Sequence, residues 1–151
     1  AASVLMGIGL VSGLMLGKSS PSLADDLVAH ILHEPKALEP GRPNLEFSRV
    51  SNVFERARMS VKGDLGDIQY AGLCSFRGHA VPHLVVQGAS GPITVMLLPE
   101  VTVEERTPFD EDGFKGVIVP TGRGSIAVIG NPDELLESVT ETFTQNVEFS
   151  I

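Results

Sequence analysis

Tyr70-Ala71-Gly72-Leu73-Cys74-Ser75-Phe76-Arg77-Gly78-His79-Ala80-Val81-Pro82-His83-Leu84-Val85-Val86 is the stretch on which the reading of this chain turns. Apolar residues flank a polar centre, and Gly78 can take the positive φ of a tight reversal, so the stretch predicts two antiparallel strands joined by a short turn at Arg77-Gly78. Phe76 then pairs with His79, Ser75 with Ala80, Cys74 with Val81 and Gly72 with His83. Paired residues share a face and so do alternate positions, which puts Cys74, Phe76, His79, Val81 and His83 on the same side. Diagonal neighbours stand roughly 7–8 Å apart, within reach of long side chains. His79 and His83 sit on one strand at about 13 Å. One metal ion could therefore take Cys74 and one of these histidines, but hardly both.

Downstream of this hairpin the pattern remains that of strands. Beyond Lys62-Gly63-Asp64, strands are expected near 67–75, 80–88, 92–98, 115–119 and 124–130. They are punctuated by Gly88-Ala89-Ser90-Gly91-Pro92, by Asp110-Glu111-Asp112-Gly113 and by Thr121-Gly122-Arg123-Gly124. Turns this short imply antiparallel pairing. Upstream, Leu27, Val28, Ile31 and Leu32 recur at helical spacing between Leu23 and Glu34, with Asp25 and Asp26 at the dipole-favoured end and Pro35 as the stop. Asn44 is placed to cap a second helix from Leu45 to about Met59, with Leu45, Val50, Val53, Phe54 and Ala57 inward. A last helix is expected from Glu134 to about Thr144, burying Leu135, Leu136, Val139 and Phe143. The expected fold class is α+β: an antiparallel sheet of about five strands with helices packed on one face.

The chain has 151 residues, 42% of them hydrophobic, and a formal charge of −8. A surface this acidic argues against nucleic acid and against anionic lipid headgroups as partners. The single cysteine excludes an internal disulfide framework. Ala1 to Gly17 contain no charged residue, the lower length limit of a membrane-spanning helix. A spanning helix over residues 1–17 is the first expectation, and the apolar core of a secretory signal ending at Ser22-Leu23-Ala24 is the second. Either delivers the folded part, residues 25–151, beyond the cytoplasmic membrane by way of a joint at 18–24.

Chemistry-bearing side chains fall in two segments. Cys74, with His79 or His83 and with His30 or His33, offers the thiolate and imidazole ligands that suit copper(I) or zinc, although the spacing is no standard zinc pattern. The competing reading makes Cys74 a small core residue beside Ile68, Tyr70 and Val85. A thiol enzyme, with Cys74 as nucleophile, a histidine as base and Glu34 orienting it, runs against the raised pKa expected of a thiol on an apolar strand face. The expectation is therefore that the protein is not an enzyme. Gly122-Arg123-Gly124 lacks the lysine of a phosphate loop, and Asp110-Glu111-Asp112-Gly113 lacks the ligand alternation of a calcium loop.

His30-x2-His33-Glu34-Pro35, the stretch from Tyr70 to Val86, Gly91-Pro92-Ile93-Thr94-Val95-Met96-Leu97-Leu98, Phe109-Asp110-Glu111-Asp112-Gly113 and Gly122-Arg123-Gly124-Ser125-Ile126-Ala127-Val128-Ile129-Gly130 together carry a resemblance. With them the chain resembles an uncharacterised family of single-pass inner-membrane proteins of Gram-negative bacteria, themselves similar to anti-sigma factors. The resemblance implies a membrane helix followed by a periplasmic sensing domain. It also implies a sigma factor as partner, held by a cytoplasmic segment that lies outside this chain. It supplies no catalytic or metal residues.

Overall fold

The computed structural model describes residues 21–39 and 43–150. The expectation of a membrane helix falls on residues 1–17, outside the described residues; among those described, no helix is long and apolar enough to cross a membrane. Helix α1, Leu23–His33, starts at a reciprocal cap: Ser22 Oγ accepts from the Asp25 amide at 3.1 Å and Asp25 Oδ2 accepts from the Ser22 amide at 2.8 Å. A single 3-10 turn, Pro35–Leu38, follows. Helix α2 spans Phe47–Arg56 and helix α3 Glu137–Asn146.

Strands β1 (Met59–Val61) and β8 (Val147–Phe149) form a small antiparallel pair. The main sheet holds β2 (Ile68–Phe76), β3 (His79–Gln87), β4 (Pro92–Leu98), β5 (Thr107–Glu111), β6 (Phe114–Thr121) and β7 (Gly124–Gly130). Its order is β2-β3-β4-β7-β6-β5, antiparallel throughout. The fold is α+β, as expected, with six strands in the main sheet rather than about five. The additional strand, β5, is Thr-Pro-Phe-Asp-Glu, too polar to carry an alternating signal. It lies at the sheet edge, where Pro108 can be accommodated without interrupting a central ladder.

The helices do not share one face of the sheet, contrary to the sequence expectation. Leu27 and Ile31 of α1 pack with Phe76, Val81, Met96, Ile118 and Ile129, whereas Val50 and Phe54 of α2 and Phe143 of α3 pack with Leu84, Val95, Leu97, Val117 and Val128. These two sets alternate along the same strands and so lie on opposite faces. The reason is visible in the strands themselves. β7 is buried along its whole length and β4 from Ile93 to Leu98, and strands apolar on both sides need cover on both sides.

Two further corrections are local. Asn44 does not cap α2: its side-chain amide donates to Asp67 Oδ1 at 2.7 Å, and the helix begins later, after Glu46, with no side-chain cap. The last helix begins at Glu137 rather than Glu134, because the buried Glu134 carboxylate accepts from the amides of Ala89, Ser90 and Leu135. Leu135, expected inside, is 81% exposed as a result.

Candidate metal centre

The β2–β3 hairpin has the register read from the sequence: Cys74 opposite Val81, Gly72 opposite His83 and Phe76 opposite His79. Arg77 and Gly78 take φ of 49° and 84°, the pair of left-handed conformations whose twist matches the flanking strands. The register shifts between Ile68 and Tyr70, so Ile68 pairs with Val86 and joins the opposite core. Tyr70 and Val85 remain on the face of Cys74, while Ile68, expected beside them, does not.

Helix α1 crosses this face. Its apolar residues Leu27 and Ile31 are buried there, and Asp26 holds Arg77 of the turn, whose Nε donates at 2.6 Å. This seating brings His30 and Glu34, four residues apart at the end of α1, over the hairpin. His30 Nε2 lies 3.1 Å from Cys74 Sγ. Glu34 Oε1 is 3.6 Å from His30 Nε2, and Glu34 Oε2 accepts from His83 Nδ1 at 3.0 Å. One donor atom from each of His30, Glu34, Cys74 and His83 can be chosen so that all lie within 4.8 Å of one another.

Of the five expected ligands, three meet: Cys74, His83 and His30. His33 and His79 are exposed and lie outside the cluster. His33 is turned from the sheet by the same helical rotation that buries Leu27 and Ile31. His79, beside the turn, is the strand partner of Phe76, away from the end of α1 that carries Glu34. Glu34 is the member of the cluster that the metal reading of the sequence does not include, its expected place being that of an orienting acid. Its signal was present in the spacing of four from His30, which sets both side chains on one helical face.

Packing around the cluster restricts its movement. The His30 ring meets Phe76 edge-on with centroids 5.8 Å apart, and the Tyr70 ring meets His83 edge-on at 5.3 Å. Gly72 makes room for that tyrosine, since a Cβ there would stand 2.8 Å from the Tyr70 hydroxyl oxygen. His83 is fully buried, and its Nε2 has no hydrogen-bond partner among the described residues. With Nδ1–H given to Glu34, the ring retains a lone pair on a buried nitrogen, an arrangement that costs about 1–3 kcal/mol when left unsatisfied.

Burial disfavours the charged forms of Cys74 and His83. Burial, and secondarily the charge of Glu34, pushes the Cys74 thiol up to about 12. Burial lowers the pKa of His83, with Glu34 opposing the shift. A cation inserted among these groups would reverse the balance for the thiol, because the sulfur binds a metal as thiolate and its proton is released to solvent. Tetrahedral zinc, with bonds of about 2.0–2.3 Å, sets its ligand atoms about 3.3–3.8 Å apart, so small side-chain rotations would close the shell.

Residues 1–147 match the profile of a protein family described as "Protein of unknown function (DUF3379)". No curated protein and no solved structure matches the chain.

Proposed function

The chain belongs to the DUF3379 family of proteins of unknown function, and we propose that its folded domain binds a soft transition-metal ion, zinc or copper(I), between α1 and the β2–β3 hairpin. The observation that carries this reading is the convergence of a thiol, two imidazoles and a carboxylate, from α1, β2 and β3, within 4.8 Å. Cysteine and histidine are ligands for these ions.

In this proposal the domain is the sensing part of a membrane-anchored, anti-sigma-like regulator, with residues 1–17 in the inner membrane and the domain in the periplasm. The charge-free run from Ala1 to Gly17 and the family resemblance support that placement. The thiol-protein alternative has suitable geometry, with His30 Nε2 3.1 Å from the sulfur. It is disfavoured by a thiol that stays protonated without a cation beside it.

Zinc and copper(I) affinities of the full chain, measured by chelator competition beside Cys74→Ser and His83→Ala, test the metal reading. Tight binding by the unaltered chain and loss in both variants is the expected result. Equal, weak binding by all three would reduce Cys74 to core packing. Placement is tested separately, by fusing alkaline phosphatase after the last residue: an inactive fusion would refute the periplasmic assignment.

A further inference from the structure

We propose that Glu34 fits this centre to a divalent ion of the zinc class rather than to copper(I); the inference rests on the metal reading and decides between the ions it admits. Cys74, His30 and His83 alone would serve either ion, as a trigonal copper(I) site or as three ligands of zinc. Glu34 breaks the tie in two ways.

The first is charge. A thiolate and a carboxylate carry two negative charges between two neutral imidazoles, so a divalent ion leaves the filled centre neutral and copper(I) leaves it with a net negative charge. That excess would lie against a fully buried His83 and a half-buried Cys74. Among the described residues no lysine or arginine pairs with Glu34, and the nearby Arg77 is engaged by Asp26. Uncompensated charge in such surroundings is costly. The second is ligand hardness. A carboxylate oxygen is an ordinary zinc ligand and a poor one for copper(I). Glu34 is also well placed to take up the role, with one oxygen 3.6 Å from His30 and the other 3.0 Å from His83.

Glu34→Gln isolates the effect, because the amide keeps the size of the side chain and an oxygen that can accept from His83 Nδ1. Zinc and copper(I) affinities of the full chain and of this variant are compared by competition with chromophoric chelators. Zinc affinity should fall by at least roughly 10-fold, since loss of a ligand should cost no less than the 10–100-fold that removal of an outer-shell partner costs. Copper(I) affinity should stay level or rise, because that ion does not use the carboxylate and the variant removes the excess negative charge. An equal fall for both ions, or unchanged zinc binding, overturns the proposal while leaving the metal reading intact. Failure of the unaltered chain to hold either ion overturns the metal reading itself. If the variant does not fold, cobalt(II) bound to the unaltered chain still decides: a tetrahedral ligand-field spectrum with a thiolate charge-transfer band that added azide leaves unchanged supports four protein ligands, and one that azide shifts by displacing a bound water, or a five- or six-coordinate spectrum, overturns the proposal.

Discussion

His30 Nε2 stands 3.1 Å from Cys74 Sγ across 44 residues of chain, and nothing but the docking of α1 on the β2–β3 hairpin brings them together. The helix is seated by Leu27 and Ile31, both essentially without solvent exposure, and by the Asp26–Arg77 ion pair at its other end. Fully burying each of those two side chains contributes about 1.5–3 kcal/mol, more than the exposed ion pair supplies. The cluster is therefore a consequence of apolar packing before it is a chemical device.

Ligand identity is the first prediction. His30→Ala and His83→Ala should each lower zinc affinity by at least roughly tenfold, while His33→Ala and His79→Ala should stay within about twofold of the unaltered chain. Isothermal titration of the four variants checks this. A deficit in His79→Ala as large as that in His83→Ala would show that the hairpin presents the wrong histidine here.

Thiol reactivity is the second. With its pKa pushed up to about 12, Cys74 should be almost wholly protonated at pH 8 in the metal-free folded protein. Alkylation by iodoacetamide should run at least about tenfold slower than in urea, where an ordinary thiol pKa near 8.5 is restored. Similar rates in the two conditions would mean that the sulfur is neither desolvated nor affected by Glu34.

The third concerns acid. His83 has its pKa lowered below the ordinary 6.5 by burial, so between 6.5 and that lower value the unfolded chain binds a proton that the folded one refuses. Metal-free stability should thus hold above pH 6.5 and decline as the pH falls through it. Urea melts at pH 7.5 and pH 5.5, for the unaltered chain and for His83→Leu, separate this from general carboxylate effects. An identical pH dependence in both would remove His83 as a cause.

Packing supplies the fourth. Leu27→Ala should cost about 2–5 kcal/mol, and because α1 carries two of the proposed ligands it should weaken zinc binding as well. Leu32→Ala, at a residue 53% exposed, should change stability by no more than about 0.5 kcal/mol. Equal losses in equilibrium unfolding would mean that the helix is seated on a different face.

What the sequence determined by itself was local. The pairing of Cys74 with Val81 and of Gly72 with His83 follows from a two-residue turn, because Arg77 and Gly78 leave the strands no other register that keeps the apolar face intact. Most of the strands and the apolar stripe of α1 were legible for the same reason, since period and turn chemistry act over a few residues. Tertiary structure decided the rest. Which histidines meet Cys74 depends on the rotation of α1 about its axis, which Leu27 and Ile31 set against Phe76 and Val81. That α1 covers one sheet face while α2 and α3 cover the other is fixed by strands buried on both sides, a demand made by the whole sheet rather than by any one turn. Glu34 became a member of the cluster only once that helix was seated, because a carboxylate four residues from a histidine acquires a buried partner only when another element is packed against both.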